Sequence, residues 1–470
     1  MKILELLSVG IDVGTTTTQV IFSRLSLVNR AAASQVPRYE FIKREIVWQS
    51  PVLFTPIEFT GQLREDELLA LVLAQYQAAG IAPDSVATGA IIITGETAKA
   101  HNARAAVVAL SRRLGDFVVA TAGPHLESVI AGFGSGAQAL SANKLARVLN
   151  IDIGGGTANY VLFDAGHTQA SACLNVGGRL LETDVHGQVL RAHPPGQWIA
   201  DATFGSQTDV HSLTPAQLRQ ITDRMAQLLW EIIVGQPSEL AKRLLMTECL
   251  PAGGHWDAIT ISGGVGECIR HIDDDNPFRF GDIGPLLAQA IRRHAGFAAL
   301  LMQSPNQTVR ATVIGAGAHT LSLSGSTIWL DEVALPLRNV PVVQPQENET
   351  QSLVASWQLA LQLLDLDAQQ DRYALALPAS WPVSAASVRL SIAALQSFSQ
   401  LYPNAHPLLV IASQDFGKAL GMLLRPLVAP RQLAVIDEVV THTGDYIDIG
   451  SPLFNGAVVP ITVKSLAFPS

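Results

Sequence analysis

Two short stretches place an aspartate at the end of an apolar run, directly before a turn of small and hydroxylated residues. The first is Asp12-Val13-Gly14-Thr15-Thr16-Thr17 and the second is Asp152-Ile153-Gly154-Gly155-Gly156-Thr157. Small residues let the backbone approach a phosphate closely, and the N–H groups of such a turn can face its oxygens. The threonine hydroxyls add donors. A carboxylate cannot favourably face a triphosphate directly, but it can face a Mg²⁺ shell that bridges the phosphates. Two such hairpins facing each other would grip a polyphosphate from both sides. Either turn alone is an ordinary Gly-rich turn; the repetition of the whole design, aspartate included, singles them out. A third stretch, Ile259-Thr260-Ile261-Ser262-Gly263-Gly264-Val265-Gly266, ends a strand in paired glycines. That pattern can lay backbone against a base or ribose.

The elements around these turns repeat as well. Leu6 to Val13 and Gln19 to Leu25 read as the two arms of a β-hairpin, and Val148 to Ile153 with Asn159 to Phe163 read as a second. This internal echo predicts duplicated domains, over residues 1–147 and 148–330. Between the copies, Glu65 to Ala79 and Ala103 to Leu114 read as helices, and Gly89 to Thr94 and Phe117 to Ala120 as strands. His125 to Leu140 reads as one glycine-containing helix. Residues 30–60, with Pro37, Pro51 and Pro56, are expected as an insertion, and so are residues 183–211. Thr214-Pro215 opens a helix along which Leu218, Ile221, Met225, Leu228 and Ile232 keep helical spacing. Residues 331–350, with Pro336, Pro341 and Pro345, read as a linker. Helical and strand-like segments then alternate through residues 351–470, which predicts a third, α/β domain.

Composition excludes several classes. With 48% hydrophobic and 15% charged residues in 470, the chain can bury large cores. The formal charge is -9 and Lys and Arg do not cluster, so no nucleic-acid surface is expected. Cys173, Cys249 and Cys268 are far apart, which argues against a disulfide framework or an iron–sulfur site and fits a reducing cytoplasm. Met1 to Leu7 does not read as a signal peptide, and no apolar run approaches the ~20 residues of a membrane span. His101, His125, His255 and His319 are isolated and read as structural or surface residues. Lys418 lacks the strand–turn context of a P-loop and is expected on a helix.

In order, the three turn motifs resemble the phosphate-1, phosphate-2 and adenosine motifs of the actin/Hsp70/sugar-kinase superfamily. Val129 to Leu140 resembles its first connecting helix and Val313 to His319 its second. The resemblance implies an α/β fold of duplicated actin-like (ribonuclease H-like) ATPase lobes, followed here by the C-terminal α/β domain. It implies that Asp12 and Asp152 organise Mg²⁺ and act in catalysis. Gly14, Thr15, Thr16, Thr17, Gly154, Gly155, Gly156 and Thr157 would hold the phosphates of ATP or ADP, and Gly263, Gly264 and Val265 would line the nucleoside. Glu127 is either a water-positioning acid or a solvated acid at a helix start. Chaperone members carry a second aspartate on the returning strand of the phosphate-2 hairpin. Here that place holds Asn159, or nearby Asp164, which implies slow ATP hydrolysis.

Longer stretches are similar to the ethanolamine ammonia-lyase reactivating-factor family. They include Pro37-Arg38-Tyr39-Glu40-Phe41-Ile42-Lys43-Arg44, Gly123-Pro124-His125-Leu126-Glu127-Ser128, Asn175-Val176-Gly177-Gly178-Arg179-Leu180-Leu181-Glu182-Thr183 and Gln414-Asp415-Phe416-Gly417-Lys418-Ala419-Leu420-Gly421. Membership implies ATP- and Mg²⁺-driven, chaperone-like exchange of damaged cobalamin for adenosylcobalamin in an inactivated lyase, the cobalamin belonging to the partner enzyme. It implies association with a bacterial microcompartment and leaves a homodimer open. Two rival readings share the superfold: a small-molecule kinase, and a nucleotide-binding scaffold with little turnover. An iron–sulfur activator of the same fold is weakened by the cysteine spacing.

Overall fold

The structure, a computed structural model, describes residues 3–14, 17–29, 39–51, 53–56, 62–86, 88–94, 110, 114, 118–121, 123–271, 276–298, 302–303, 318–323, 328–346, 352–450 and 459–465. The first lobe is built on β1 (Ile3–Val13), β2 (Thr17–Asn29), β3 (Tyr39–Gln49), β4 (Leu53–Phe54), β5 (Thr88–Ile93) and β6 (Val118–Thr121). Its sheet runs β3-β2-β1-β5-β6, with β4 added beside β2. The first three strands are an antiparallel meander, and β5 and β6 continue parallel to β1. Tyr39–Gln49, inside the stretch expected as an insertion, is thus the third strand of the sheet. Helix α1 (Glu65–Ala79) covers one face through Leu68, Val72 and Tyr76, and ends at Gly80 in the left-handed region. The helix expected over 103–114 lies almost wholly outside the described residues.

The expected single helix after Gly123 is two. Helix α2 (Pro124–Gly134) starts with proline in its first turn, and α3 (Ala137–Lys144) follows a break at Ser135-Gly136. Gly136 sits at φ 83, a conformation that interrupts the helix.

The second lobe repeats the first. Strands β7 (Arg147–Ile153), β8 (Ala158–Asp164) and β9 (His167–Leu174) form the antiparallel meander. A side hairpin, β10 (Leu181–Thr183) and β11 (Val189–Ala192), and helix α4 (Pro194–Phe204) occupy much of the second expected insertion. Helix α5 (Pro215–Ile233) starts at a capping box between Thr214 and Gln217, and Leu218, Ile221, Met225, Leu228 and Ile232 are all fully buried. After α6 (Glu239–Leu244) come β12 (Ala258–Ser262), α7 (Gly263–Arg270), α8 (Gly284–Arg293), α9 (Ala295–Ala298) and β13 (Met302–Gln303). The sheet order is β13-β12-β7-β8-β9, with β12 and β13 parallel to β7. Both lobes therefore have the same path: three antiparallel strands, then two parallel ones beside the first. This is the ribonuclease H-like order of duplicated actin-like lobes.

The third sheet has eight strands. Its β14 (Ala318–Leu323), β15 (Trp329–Asp331) and β16 (Leu337–Val343) precede α10 (Leu353–Leu363), β17 (Ala374–Ala376), α11 (Ala385–Leu401), β18 (Leu408–Ile411), α12 (Gly417–Val428), β19 (Leu433–Ile436), β20 (Asp445–Ile449) and β21 (Pro460–Ser465). The order is β14-β21-β20-β16-β17-β18-β19-β15, with β16 to β19 parallel. Two expectations change here. The stretch read as a linker contains β16, a central strand whose Val340, Val342 and Val343 are fully buried. Of the segment likened to a second connecting helix, 313–317 lie outside the described residues, and Ala318 and His319 begin a strand. Lys418 lies exposed on α12, as expected.

The C-terminal domain is not appended loosely. Ala90 and Ile92 of β5 and Leu126 and Ile130 of α2 share one core with Val343, Trp357, Leu361 and Phe398. Trp357 is fully buried and its indole N–H donates to the Ala376 carbonyl at 2.8 Å.

Candidate functional site

The duplicated topology brings Asp12 and Asp152 to equivalent positions. Asp12 pairs with Gln19 one step before the last pair of the β1–β2 hairpin, and Asp152 pairs with Asn159 one step before the last pair of β7–β8. The turn beyond each is closed by the same hydrogen bond. Gly14 N–H donates to the Thr17 carbonyl at 3.0 Å, and Gly154 N–H donates to the Thr157 carbonyl at 3.0 Å. The Thr55 hydroxyl braces the first turn by donating to the Gly14 carbonyl at 2.8 Å. Thr15 and Thr16 lie outside the described residues.

Each aspartate is held by a hydroxyl at the end of the neighbouring parallel strand. Thr94 Oγ1 donates to Asp12 Oδ1 at 3.0 Å, and Ser262 Oγ donates to Asp152 Oδ1 at 2.6 Å. The repeat thus extends to the residues that orient the carboxylates, which motif reading alone did not identify. Their signal was available: both stand at the C-terminal end of the strand parallel to the Asp-bearing one. A buried network continues behind Asp152. Asn150 Nδ2 donates to Ser262 at 3.3 Å, and Ser135 and Thr260 donate to Asn150 Oδ1 at 3.0 and 2.8 Å. Asp152 is thereby wired to the break between α2 and α3.

Burial pushes the Asp12 carboxyl up to about 7; the Thr94 hydrogen bond opposes this and the Asp152 charge adds to it. Burial pushes Asp152 up to about 6, against the Ser262 hydrogen bond. Two desolvated carboxylates that sense each other across a cleft are costly unless a proton or a cation joins them.

Glu127, in the first turn of α2, meets the second hairpin: Asn159 Nδ2 donates to Glu127 Oε1 at 3.0 Å. Asn159 is 2% exposed, and its Oδ1 has no partner among the described residues.

The paired glycines divide their work. Gly263 opens α7 at φ 82, and a Cβ there would lie 2.4 Å from the Ile153 carbonyl oxygen, so it lets the helix start press on β7. Gly264 has open space where a side chain would be. The Val265 side chain, expected to line a nucleoside, is 2% exposed and packs in the lobe core. Residues outside the motifs also reach the second turn. Gly178 N–H donates to the Gly154 carbonyl at 2.9 Å and Arg179 N–H to the Gly155 carbonyl at 2.7 Å. A Cβ on Gly177 would lie 2.5 Å from the Gly155 backbone. Gly177→Ala is therefore expected to displace the 154–156 turn, costing about 1–3 kcal/mol by overpacking against backbone. Thermal unfolding with and without Mg²⁺-nucleotide checks this; an unchanged nucleotide-induced shift would remove Gly177 from the site.

Among the described residues, Cys173, Cys249 and Cys268 are free, and no helix is long and apolar enough to cross a membrane.

Comparison with known proteins agrees along the whole chain. The family model for ethanolamine utilisation protein EutA matches residues 4–469. The chain is 67% identical over 470 residues to the ethanolamine ammonia-lyase reactivase EutA of Escherichia coli K12, covering 100% of both chains. It is 66% identical, again over 100% of both, to the protein of the same description from Salmonella typhimurium LT2. Among solved structures, the type II variant of the Aquifex aeolicus Ppx/GppA phosphatase aligns with a TM-score of 0.40 and 14% identity, over 66% of this chain and 98% of that one. With a match of 466 positions, from 4 to 469, the chain belongs to the ethanolamine utilisation protein EutA family.

Proposed function

We propose that this chain is an ATP- and Mg²⁺-dependent reactivating factor for ethanolamine ammonia-lyase, promoting exchange of damaged cobalamin for adenosylcobalamin in the inactivated enzyme. The observation that carries this reading is the pair Asp12 and Asp152 on two equivalent hairpins, the first half-buried and the second buried, each oriented by a hydroxyl. The chain's relatives over its full length bear the name of such a reactivase.

The residues suit Mg²⁺. No group of three or more His, Cys, Asp or Glu side chains among the described residues could hold a metal by itself. Mg²⁺ takes one or two carboxylates and fills its shell with water and phosphate oxygens, which a facing Asp pair allows. When bound, it neutralises phosphate charge. The turns Gly14 to Thr17 and Gly154 to Thr157 would hold the phosphates, and Gly263 and Gly264 the nucleoside side of the cleft. Glu127 and the unpartnered Asn159 Oδ1 would position water. An amide cannot take its proton, so turnover in the protein alone is slow.

Nucleotide state would reach the partner through domain movement. We place the lyase contact on the C-terminal domain, whose core is shared with α2. Its outer helices leave Leu390, Met422 and Leu423 more than half exposed.

The test is recovery of ethanolamine ammonia-lyase activity after inactivation by bound cyanocobalamin. Purified protein, Mg²⁺ and adenosylcobalamin are added with or without ATP, using wild type and Asp12→Ala. Recovery that requires ATP and disappears in the variant is expected. ATP binding without recovery under any condition would reject reactivation and leave the kinase and scaffold readings.

A further inference from the structure

Among the described residues, the Arg179 side chain reaches from the second turn to a residue beside the first. Arg179 begins at the second turn: its N–H is bonded to the Gly155 carbonyl, and its Cβ lies 3.2 Å from where a Gly155 side chain would start. Its guanidinium carbon lies over the Phe54 ring of the first lobe, 5.0 Å from the centroid. Phe54 in turn is paired with Thr17, the last residue of the first turn. The side chain is therefore anchored beside one turn and its guanidinium rests on a residue beside the other.

Its charge is poorly matched there. The Arg179 side chain is 18% exposed, and its nearest carboxylate, Glu182, is at 3.8 Å, too long for a hydrogen bond. Glu182 is already engaged by His193 at 3.1 Å. Asp282 lies within electrostatic reach but spends a carboxylate oxygen on the Gly284 N–H at 2.9 Å. Arg179 Nε is buried with no hydrogen-bond partner among the described residues. Buried donors are ordinarily paired, and an arginine fork with a free Nε is shaped to take two oxygens of one planar or tetrahedral anion. A ring face offers a cation no hydrogen-bond acceptors, so an anion with charge-assisted hydrogen bonds outcompetes it. The Phe54 side chain is 67% exposed, so the stack sits at the surface.

We propose that Arg179 is the residue that binds the terminal phosphate of a nucleoside triphosphate, and that Phe54 parks its guanidinium across the cleft until that phosphate arrives. This deepens the nucleotide reading above and rests on it. A diphosphate ends short of the guanidinium and leaves the stack in place; a triphosphate exchanges the cross-lobe stack for phosphate bonds. Arg179 thus distinguishes ATP from ADP and reports the difference at a contact between lobes.

The test is calorimetric titration, in Mg²⁺, of ADP and of β,γ-imido-ATP into wild type, Arg179→Gln, Arg179→Lys and Phe54→Leu. Loss of a charged hydrogen-bonding partner predicts roughly ten- to hundredfold weaker imido-ATP binding by Arg179→Gln, with ADP changed less than about threefold. Arg179→Lys, which keeps charge but not the fork, falls between. Phe54→Leu binds imido-ATP as tightly as wild type or more tightly. If wild type binds neither nucleotide, the nucleotide reading itself fails. If wild type binds both, the proposal is overturned by Arg179→Gln losing both equally or neither. It is also overturned if Phe54→Leu weakens imido-ATP as much as Arg179→Gln, which would make the stack structural.

Discussion

Asp12→Asn is expected to stabilise the nucleotide-free protein at pH 8 while abolishing Mg²⁺-dependent nucleotide binding. Burial raises the Asp12 carboxyl from 3.8 to about 7. A group whose pKa is raised on folding binds its proton more tightly in the native state. Its contribution to stability is complete below the unfolded value and is lost as pH rises through the folded one. Between about pH 4 and 7 the nucleotide-free fold therefore weakens with rising pH, and Asp152, raised to about 6, adds to the loss over the lower part of that window. An amide removes the charge and still accepts from Thr94, so the variant avoids a cost of up to about 4 kcal/mol at pH 8. The same protons must leave before a cation binds, so wild-type Mg²⁺-nucleotide affinity climbs through pH 6 to 7. Melting curves at pH 5.5 and 8, with nucleotide titrations at both, measure all of this. A variant less stable than wild type at pH 8, or one retaining full Mg²⁺-dependent affinity, would contradict the assignment.

Asp365→Ala is expected to cost about 1–3 kcal/mol and to loosen the C-terminal domain from the ATPase lobes. Helix α2 has Gly123 at its N-cap, which offers no side chain. The cap comes instead from Asp365, just past α10, whose carboxylate accepts from the Leu126 N–H at 2.7 Å and the His125 N–H at 3.5 Å. Burial raises this carboxyl, and its bond to Leu126 and the nearby His125 oppose the rise. The glycine is required by space: a Cβ at Gly123 would lie 2.4 Å from the Asp365 carboxyl carbon. Gly123→Ala should therefore reproduce the defect without touching the acid. Because α2 also carries Glu127, both variants should lower basal ATP turnover together with lyase reactivation. Denaturant unfolding reads the first effect and paired activity assays the second. Wild-type stability in both variants would show that the cap contributes nothing.

Much of this was legible in the chain itself. The two Asp–turn hairpins are local designs, made by residues adjacent in sequence, and both form as read. Helix α5 was equally open, because Thr214-Pro215 marks its start and its buried residues repeat at helical spacing. The C-terminal alternation was read correctly for the same reason: each element carries its own period.

What stayed hidden depends on residues far apart. The prolines at 336, 341 and 345 marked a linker, yet Val340, Val342 and Val343 lie between them and pair into the middle of a sheet. Pairing with β17 and β20 is a property of partners, not of the strand. The family resemblance set Val265 beside the nucleoside; only the fold shows that α7 packs its side chain in the lobe core. The second turn's supports, Gly177 to Arg179, and the hydroxyls of Thr94 and Ser262 reach their targets only once the sheets align. Asp365 caps a helix that begins 241 residues earlier in the chain, at Pro124. Sequence alone thus determined the two carboxylate-bearing turns and the duplicated frame, because short-range sterics and hydrophobic period specify hairpins and helices locally. Tertiary structure decided which side chains orient the carboxylates, which cation reaches from the second turn to a residue beside the first and how the third domain grips α2, because those depend on burial and distance between segments that only packing brings together.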